Sequence, residues 1–200
     1  MIYRICRNLI RFFFVVFCRW KVEGAENIPE QGPVLVAANH FSYWDPVVLA
    51  CALDRKIHFM AKSNIFEIPV LGLLVPYFGA FPVNRTKRAD RKSLRTAVNL
   101  LDEGKVVGIF PEGTRSGTGS LLPALPGAAF LICKAGVPVC PVALVRKKRI
   151  FGNNLFPCYH VLIGESFSME EKTGRRNYQE EADKIMVKIK GLMGLIESSK

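Results

Sequence analysis

His40 and Asp45 stand at the two ends of an H-x-x-x-x-D spacing inside Asn39-His40-Phe41-Ser42-Tyr43-Trp44-Asp45-Pro46. A histidine near its ordinary pKa of about 6.5 can accept a proton at neutral pH. An aspartate that folds back onto one ring nitrogen fixes the tautomer and stabilises the imidazolium that forms. The pair therefore suits a general base. Ser42 lies close by, but no G-x-S-x-G elbow supports a serine hydrolase. A plainer assignment is equally open at this point: Asp45 caps a helix begun by Pro46, and His40 is a polar residue at a strand end.

Three further blocks carry chemistry. Gly79-Ala80-Phe81-Pro82-Val83-Asn84-Arg85 puts an arginine after a short strand, where its planar fork can grip a phosphate. Arg85 can also simply open a solvated basic helix that continues with Arg88, Arg91, Lys92 and Arg95. In Phe110-Pro111-Glu112-Gly113-Thr114-Arg115-Ser116, Gly113 allows close backbone approach to a ligand. Thr114 and neighbouring N–H groups can hold a phosphate or an oxyanion, and Arg115 adds charge. A tight turn would also account for this block. Gly136-Val137-Pro138-Val139-Cys140-Pro141-Val142-Ala143-Leu144 is apolar and suits a core strand or the lining of an acyl channel. The basic run Arg146-Lys147-Lys148-Arg149 follows it.

The elements that must position these residues read as follows. Residues 33–38 form a short apolar run expected to be a buried strand, so His40 falls at its carboxyl end. A helix starts at Asp45-Pro46, with proline at its first position. Residues 57–61 read as a second strand. The apolar stretch 65–83 is broken by Pro69, Gly72, Pro76, Gly79 and Pro82 into short pieces. A helix over 89–103 has Leu94, Ala97, Val98 and Leu101 on its inner face and ends at Gly104. Residues 106–110 form a strand, 127–135 a helix, 137–145 a strand and 159–163 a further strand. Residues 166–177 are a polar connection. A C-terminal helix buries a stripe through Tyr178, Ala182, Ile185, Met186, Ile189, Leu192, Met193 and Ile196. Strands alternating with helices predict a single α/β domain over 21–200, with a mostly parallel (mixed) sheet flanked by helices.

Residues 1–20 stand apart. Arg4, Arg7 and Arg11 recur at helical spacing, with Ile2, Ile5, Leu9 and the Phe12–Phe14 cluster around them. The apolar run is shorter than the roughly 20 residues that span a bilayer. The pattern predicts an interfacial membrane helix lying among anionic headgroups; a helix that caps the domain's own core is the competing assignment. Composition agrees with a lipid-facing protein. Lys and Arg number 28 against 17 Asp and Glu, a net charge of +11, so an anionic partner is expected. Half of the residues are hydrophobic, with 14 Phe, which argues for lipid over nucleic acid, and no nucleic-acid motif is present. Six cysteines without C-x-x-C spacing read as buried thiols, and three scattered histidines give no metal-ligand pattern. No metal and no cofactor are expected.

In this order, the four blocks from about Val22 to Leu144 resemble the 1-acylglycerol-3-phosphate acyltransferase family, of bacterial type. N-H-F-S-Y-W-D-P is similar to its N-H-x-x-x-x-D block, G-A-F-P-V-N-R to its arginine block, F-P-E-G-T-R-S to its E-G-T-R block, and V-P-V-C-P-V-A-L to its V-P-x-x-P-V block. The resemblance implies a glycerolphosphate-acyltransferase-like fold. It implies transfer of a fatty acyl group from a thioester, acyl-CoA or acyl carrier protein, to the 2-hydroxyl of 1-acylglycerol 3-phosphate, giving phosphatidic acid. It further implies His40 as base, Asp45 as orienting partner, Arg85 on the acceptor phosphate, and Glu112, Gly113, Thr114 and Arg115 shaping the acceptor and oxyanion region. Lys62 falls where such proteins carry a lysine near the site. The expected setting is peripheral or monotopic on the cytoplasmic face of a membrane, beside its lysophospholipid acceptor. Ala124-Leu125-Pro126-Gly127 departs from the F-K-x-G stretch often found after the third block. Another acceptor, such as glycerol 3-phosphate or a different lysophospholipid, and non-catalytic binding of anionic lipid are the rival functions.

Overall fold

Val34-Leu35-Val36-Ala37-Ala38 is buried along its whole length, and alternate residues serve opposite cores. Val34, Val36 and Ala38 join one cluster, while Leu35 and Ala37 join another. This is the signature of a central strand covered on both faces, and it explains why the run is apolar without interruption. The computed structural model describes residues 2–84, 90–147, 157–169 and 177–198. Its first half runs α1 (Ile2–Phe17), β1 (Lys21–Glu23), β2 (Val34–Ala38), α2 (Asp45–Ala52), β3 (Ile57–Lys62), α3 (Leu71–Tyr77) and β4 (Phe81–Val83). Its second half runs α4 (Arg91–Asp102), β5 (Val106–Ile109), α5 (Pro126–Ala135), β6 (Val139–Lys147), β7 (Cys158–Ile163) and α6 (Tyr178–Ser198).

The strands make one sheet in the order β1-β7-β6-β2-β5-β3-β4. β6, β2, β5, β3 and β4 are mutually parallel, and β7 turns back antiparallel to β6 with β1 alongside it. The mixed, mostly parallel sheet expected from the alternation of elements is therefore present; β1 was hidden because a three-residue edge strand has no readable period. On the face of the sheet that Val34 and Val36 line, the core takes Val48 and Leu49 of α2 and Phe14 of α1. On the opposite face it takes Ala97 and Leu101 of α4, Ile132 of α5, and Ile185 and Ile189 of α6. Burial pushes the thiol of Cys51 up to about 11 and that of Cys140 up to about 12, so both are packing groups, not nucleophiles. Cys6, Cys133 and Cys158 are half-buried instead, and all six cysteines are free.

Two helix starts differ from expectation for clear reasons. α4 begins at Arg91 because Asp90 caps it, accepting from the backbone of Lys92 and Ser93 at 3.1 and 3.3 Å. Asp90 also accepts from Asn84 N–H at 2.7 Å, and these bonds hold its carboxyl below the usual range. α2 begins at Asp45 itself, with Pro46 second, and the Asp45 side chain does not cap it. Arg88, Lys148, Arg149 and residues 170–176 of the polar connection lie outside the described residues.

The basic face of α1 is the main correction. Arg7 donates to the carbonyls of Leu53 and Asp54 at 3.1 and 2.5 Å, and Arg11 pairs with the Asp54 carboxylate at 3.1 Å. Both arginines thus dock α1 onto the segment that directly follows α2. Ile2, Ile5, Leu9, Phe12, Val15 and Val16 face outward instead. Arg7 and Arg11 thus point onto the domain while Arg4 stays exposed, and the apolar face points out.

Arg7→Ala is expected to cost about 1–2 kcal/mol through the unpaired carbonyls, a drop in melting temperature of about 2–8 °C for a chain of this size. Arg4→Ala, at a residue without a hydrogen-bond partner among the described residues, should stay within about 0.5 kcal/mol. Thermal melts of the two variants check the orientation; equal losses would contradict it.

Candidate active site

β2 ends at Ala38, and the two residues after it carry the site. Asn39 is fully buried and replaces the lost ladder. Its amide donates to Leu144 C=O at 2.8 Å and accepts from Leu144 N–H at 2.7 Å. That double bond ties the end of β2 to β6 and satisfies a polar group that would otherwise be costly to bury. His40 follows at the carboxyl end of the strand.

Every polar group of His40 except one ring nitrogen is held. Its N–H donates to Glu112 Oε1 at 2.8 Å, and its carbonyl accepts from Ser116 N–H at 2.9 Å. Nδ1 lies 2.9 Å from Asp45 Oδ2. That same oxygen accepts from the N–H groups of Phe41 and Ser42 at 2.6 and 2.7 Å. A carboxylate can only accept, so Nδ1 carries the proton and Nε2 keeps its lone pair. The Phe110 ring stacks on the imidazole with centroids 4.0 Å apart and planes 18° from parallel. Phe59 stacks in turn on Phe110 at 5.8 Å. Gly108 makes room for the Phe59 ring, which a Cβ at that position would strike.

Glu112, on the turn after β5, is buried. Its second oxygen accepts from Leu122 N–H at 2.8 Å. Burial raises its pKa, against the two backbone bonds that favour the carboxylate. Both oxygens are thus engaged with backbone, so Glu112 acts on the site by holding His40. Gly113 has φ of 68°, the left-handed region that suits glycine, and a Cβ there would run into the Leu125 side chain. Thr114 and Arg115 follow on the exposed side of the turn. Their N–H groups have no partner among the described residues. The Arg115 guanidinium lies over the Tyr43 ring, 3.4 Å from its centroid, which joins the third block to the first.

The parallel order β2-β5-β3-β4 lines up the other assigned residues. Lys62 is the last residue of β3, exposed, and sits opposite Val83 of β4. Asn84 follows β4; Arg85, one residue on, lies outside the described residues. The carboxyl ends of four neighbouring strands therefore carry, in turn, His40, Glu112, Lys62 and Asn84, as α/β sheets commonly place ligand groups. Two surface hollows of about 580 Å³ lie elsewhere, one along α6 at Phe167 and Lys188, the other at Lys56, His58 and Lys105 on the amino-terminal side of the sheet. Among the described residues no group of His, Cys, Asp and Glu is placed to hold a metal ion. Sequence reasoning missed the roles of Asn39 and Phe110. Asn39 had a signal, a polar residue closing an apolar strand; Phe110 had none beyond its place beside Glu112.

Comparison with known proteins gives this geometry a family. The family described as acyltransferase matches residues 19–145, a span that contains all the site residues above. A 1-acyl-sn-glycerol-3-phosphate acyltransferase of Bacillus subtilis is 32% identical over 142 residues, 70% of each chain. The chloroplastic 1-acyl-sn-glycerol-3-phosphate acyltransferase BAT2 of Brassica napus is 35% identical over 136 residues, which are 67% of this chain and 39% of that protein. The crystal structure of the 1-acyl-sn-glycerophosphate acyltransferase PlsC from Thermotoga maritima superposes with a TM-score of 0.68 at 27% identity, covering 88% of this chain and 71% of that one. With the family match spanning residues 19–145, the chain belongs to the acyltransferase family.

Proposed function

We propose that the protein transfers a fatty acyl group from a thioester to the 2-hydroxyl of 1-acylglycerol 3-phosphate, forming phosphatidic acid, with His40 as the general base. The observation that carries this reading is the His40–Asp45 contact, in which an anchored carboxylate takes Nδ1 and leaves Nε2 to accept a proton. The acceptor hydroxyl gives its proton to Nε2 as its oxygen attacks the thioester carbonyl. The tetrahedral oxyanion then collapses, the thiolate leaves, and the imidazolium returns the proton to it. Asp45 stabilises the imidazolium between these two events. The thioester is already activated, so neither a covalent intermediate nor a metal is required by the chemistry.

The N–H groups of Thr114 and Arg115, exposed beside His40, are suited to the oxyanion or to the acceptor phosphate. Arg85 and Lys62, reached from the ends of β4 and β3, supply positive charge for that phosphate. Acyl-CoA carries phosphates and acyl carrier protein is acidic, so a chain with a net charge of +11 suits either donor. The lipid acceptor would enter sideways from the cytoplasmic face of a bilayer. The outward apolar residues of α1 and the exposed Val70, Leu73 and Leu74 at α3 support such docking. No helix among the described residues is long and apolar enough to cross a membrane.

His40→Ala is expected to lower turnover of lysophosphatidic acid by at least about 10²–10⁴-fold while circular dichroism stays as in the parent. Wild-type turnover in that variant would remove His40 as the base. Glu112→Gln replaces one accepting oxygen with a donor facing a backbone N–H, so it should destabilise the fold by about 1–3 kcal/mol and lower kcat more than it changes the acceptor KM. Arg85→Ala should instead raise the KM for lysophosphatidic acid and leave the donor KM unchanged; steady-state kinetics with each substrate varied in turn separates the two patterns.

A further inference from the structure

Three rings stack in a row that follows the strand order β2-β5-β3. The imidazole of His40, just past β2, lies against the ring of Phe110, just past β5, with centroids 4.0 Å apart and planes 18° from parallel. Phe110 is stacked in turn with Phe59 of β3, at 5.8 Å and 9°. The β3–β5 register sets Phe59 beside Gly108, and a Cβ added at Gly108 would stand 2.4 Å from the Phe59 ring. A side chain at that position would push Phe59 out of the row. The backbones of the two inner rings are tied to one turn. The Phe110 carbonyl accepts from Gly113 N–H at 2.9 Å, and Glu112 accepts from His40 N–H at 2.8 Å. Phe59 is buried, and Phe110 packs half-buried against the same core.

We propose that Phe110 is a positioning residue for His40: its ring sets the plane of the imidazole and stabilises the imidazolium that forms during acyl transfer. The inference rests on the reading of His40 as the base. The backbone bonds of His40 and the contact of Nδ1 with Asp45 fix one edge of the side chain. The torsion that turns an imidazole about its Cβ–Cγ bond is broad, however. A near-parallel ring at 4.0 Å restricts that rotation and holds Nε2 in one direction. The face of a phenyl ring is negative, and its attraction for a cation grows as water is removed. His40 is buried. When it takes the hydroxyl proton, the new charge spreads over a ring that already lies against that face. Asp45 meets the imidazolium at its Nδ1 edge and Phe110 at its face, so Nε2 is left for the substrate. Among the charged groups nearby, Asp45 holds Nδ1, Glu112 holds the backbone N–H, and Arg115 lies over the Tyr43 ring. None of these contacts involves the Phe110 ring.

Fluorinated phenylalanines at position 110 keep the shape of the ring and withdraw charge from its face. The assay uses lysophosphatidic acid and a long-chain acyl thioester, supplied as acyl-CoA and as acyl carrier protein. With each added fluorine, kcat is expected to fall and the acidic limb of its pH profile to move to lower pH. The direction follows because the imidazolium loses stabilisation and His40 becomes a weaker base. Phe110→Leu, which has no ring, should stand at the end of the series. Its kcat should be about three- to thirty-fold lower and its acidic limb about half to one pH unit lower. Both KM values should stay within about two-fold. Phe110→Leu also loses packing, which its melting temperature reads separately; the fluorinated series holds the packing constant. A kcat and an acidic limb that stay level across the fluorinated series would overturn the proposal, as would a Phe110→Leu defect confined to KM. His40→Ala in the same assay keeps the failures distinct. If it is inactive while the Phe110 variants are unimpaired, only the role of Phe110 is lost; if it keeps the parent turnover, His40 is not the base.

Discussion

One oxygen of Asp45 accepts three hydrogen bonds, and the site is organised around that convergence. A buried carboxylate costs several kcal/mol unless partners replace its water. Here the replacement comes from backbone amides of the same short loop, so the anion and its donors cannot drift apart without unfolding the loop. The third donor is His40 Nδ1. The interaction that makes the buried charge tolerable is therefore the one that sets the histidine tautomer. An H-x-x-x-x-D spacing is the sequence form of that closed loop.

The loop alone would not aim His40, and the parallel sheet does the rest. His40 and Glu112 are 72 residues apart in the chain, yet β2 and β5 are neighbours running the same way, so their carboxyl ends open on the same edge. Glu112 takes the N–H of His40 and Ser116 gives to its carbonyl, so the turn after β5 holds the His40 backbone at both polar groups. On the other flank, Asn39 binds Leu144 of β6. His40 is thus suspended between two strands by side chains that replace ladder bonds at the place where the ladder stops. This explains why the carboxylate in the E-G-T-R turn is buried: it completes a sheet edge.

The sheet, its helices and the identity of the central pair were legible because they depend on local pattern. Uninterrupted apolar runs mark strands covered on both faces, and 3.6-residue spacing marks α4 and α6. The reach of Asp45 to His40 was legible as one of two options, and geometry chose between them: the carboxylate turns back to the loop and leaves α2 uncapped by a side chain. What was not legible depends on distant neighbours. Nothing near Phe110 in sequence says that it will stack on His40. Periodicity places Arg4, Arg7 and Arg11 on one face of α1 but does not say what covers that face.

Arg7 and Arg11 are covered by the segment just after α2 while Arg4 stays exposed, and the reason is a competition between two ways to dock a helix. If the arginines of α1 had faced lipid, its Ile, Leu and Phe residues would have packed on the domain, and the Leu53 and Asp54 carbonyls with the Asp54 carboxylate would have needed other partners. In the observed arrangement Arg7 and Arg11 satisfy those groups, Phe14 reaches into the core between Tyr159 and Trp44, and the apolar face is left outward. An outward apolar face is a liability for a domain alone in water. Against a lipid surface the same face gains free energy by leaving water, without drawing Phe14 or the arginines out of place. Docking to the domain and the proposed docking to lipid would then use different sides of one helix, and neither would compete with the other.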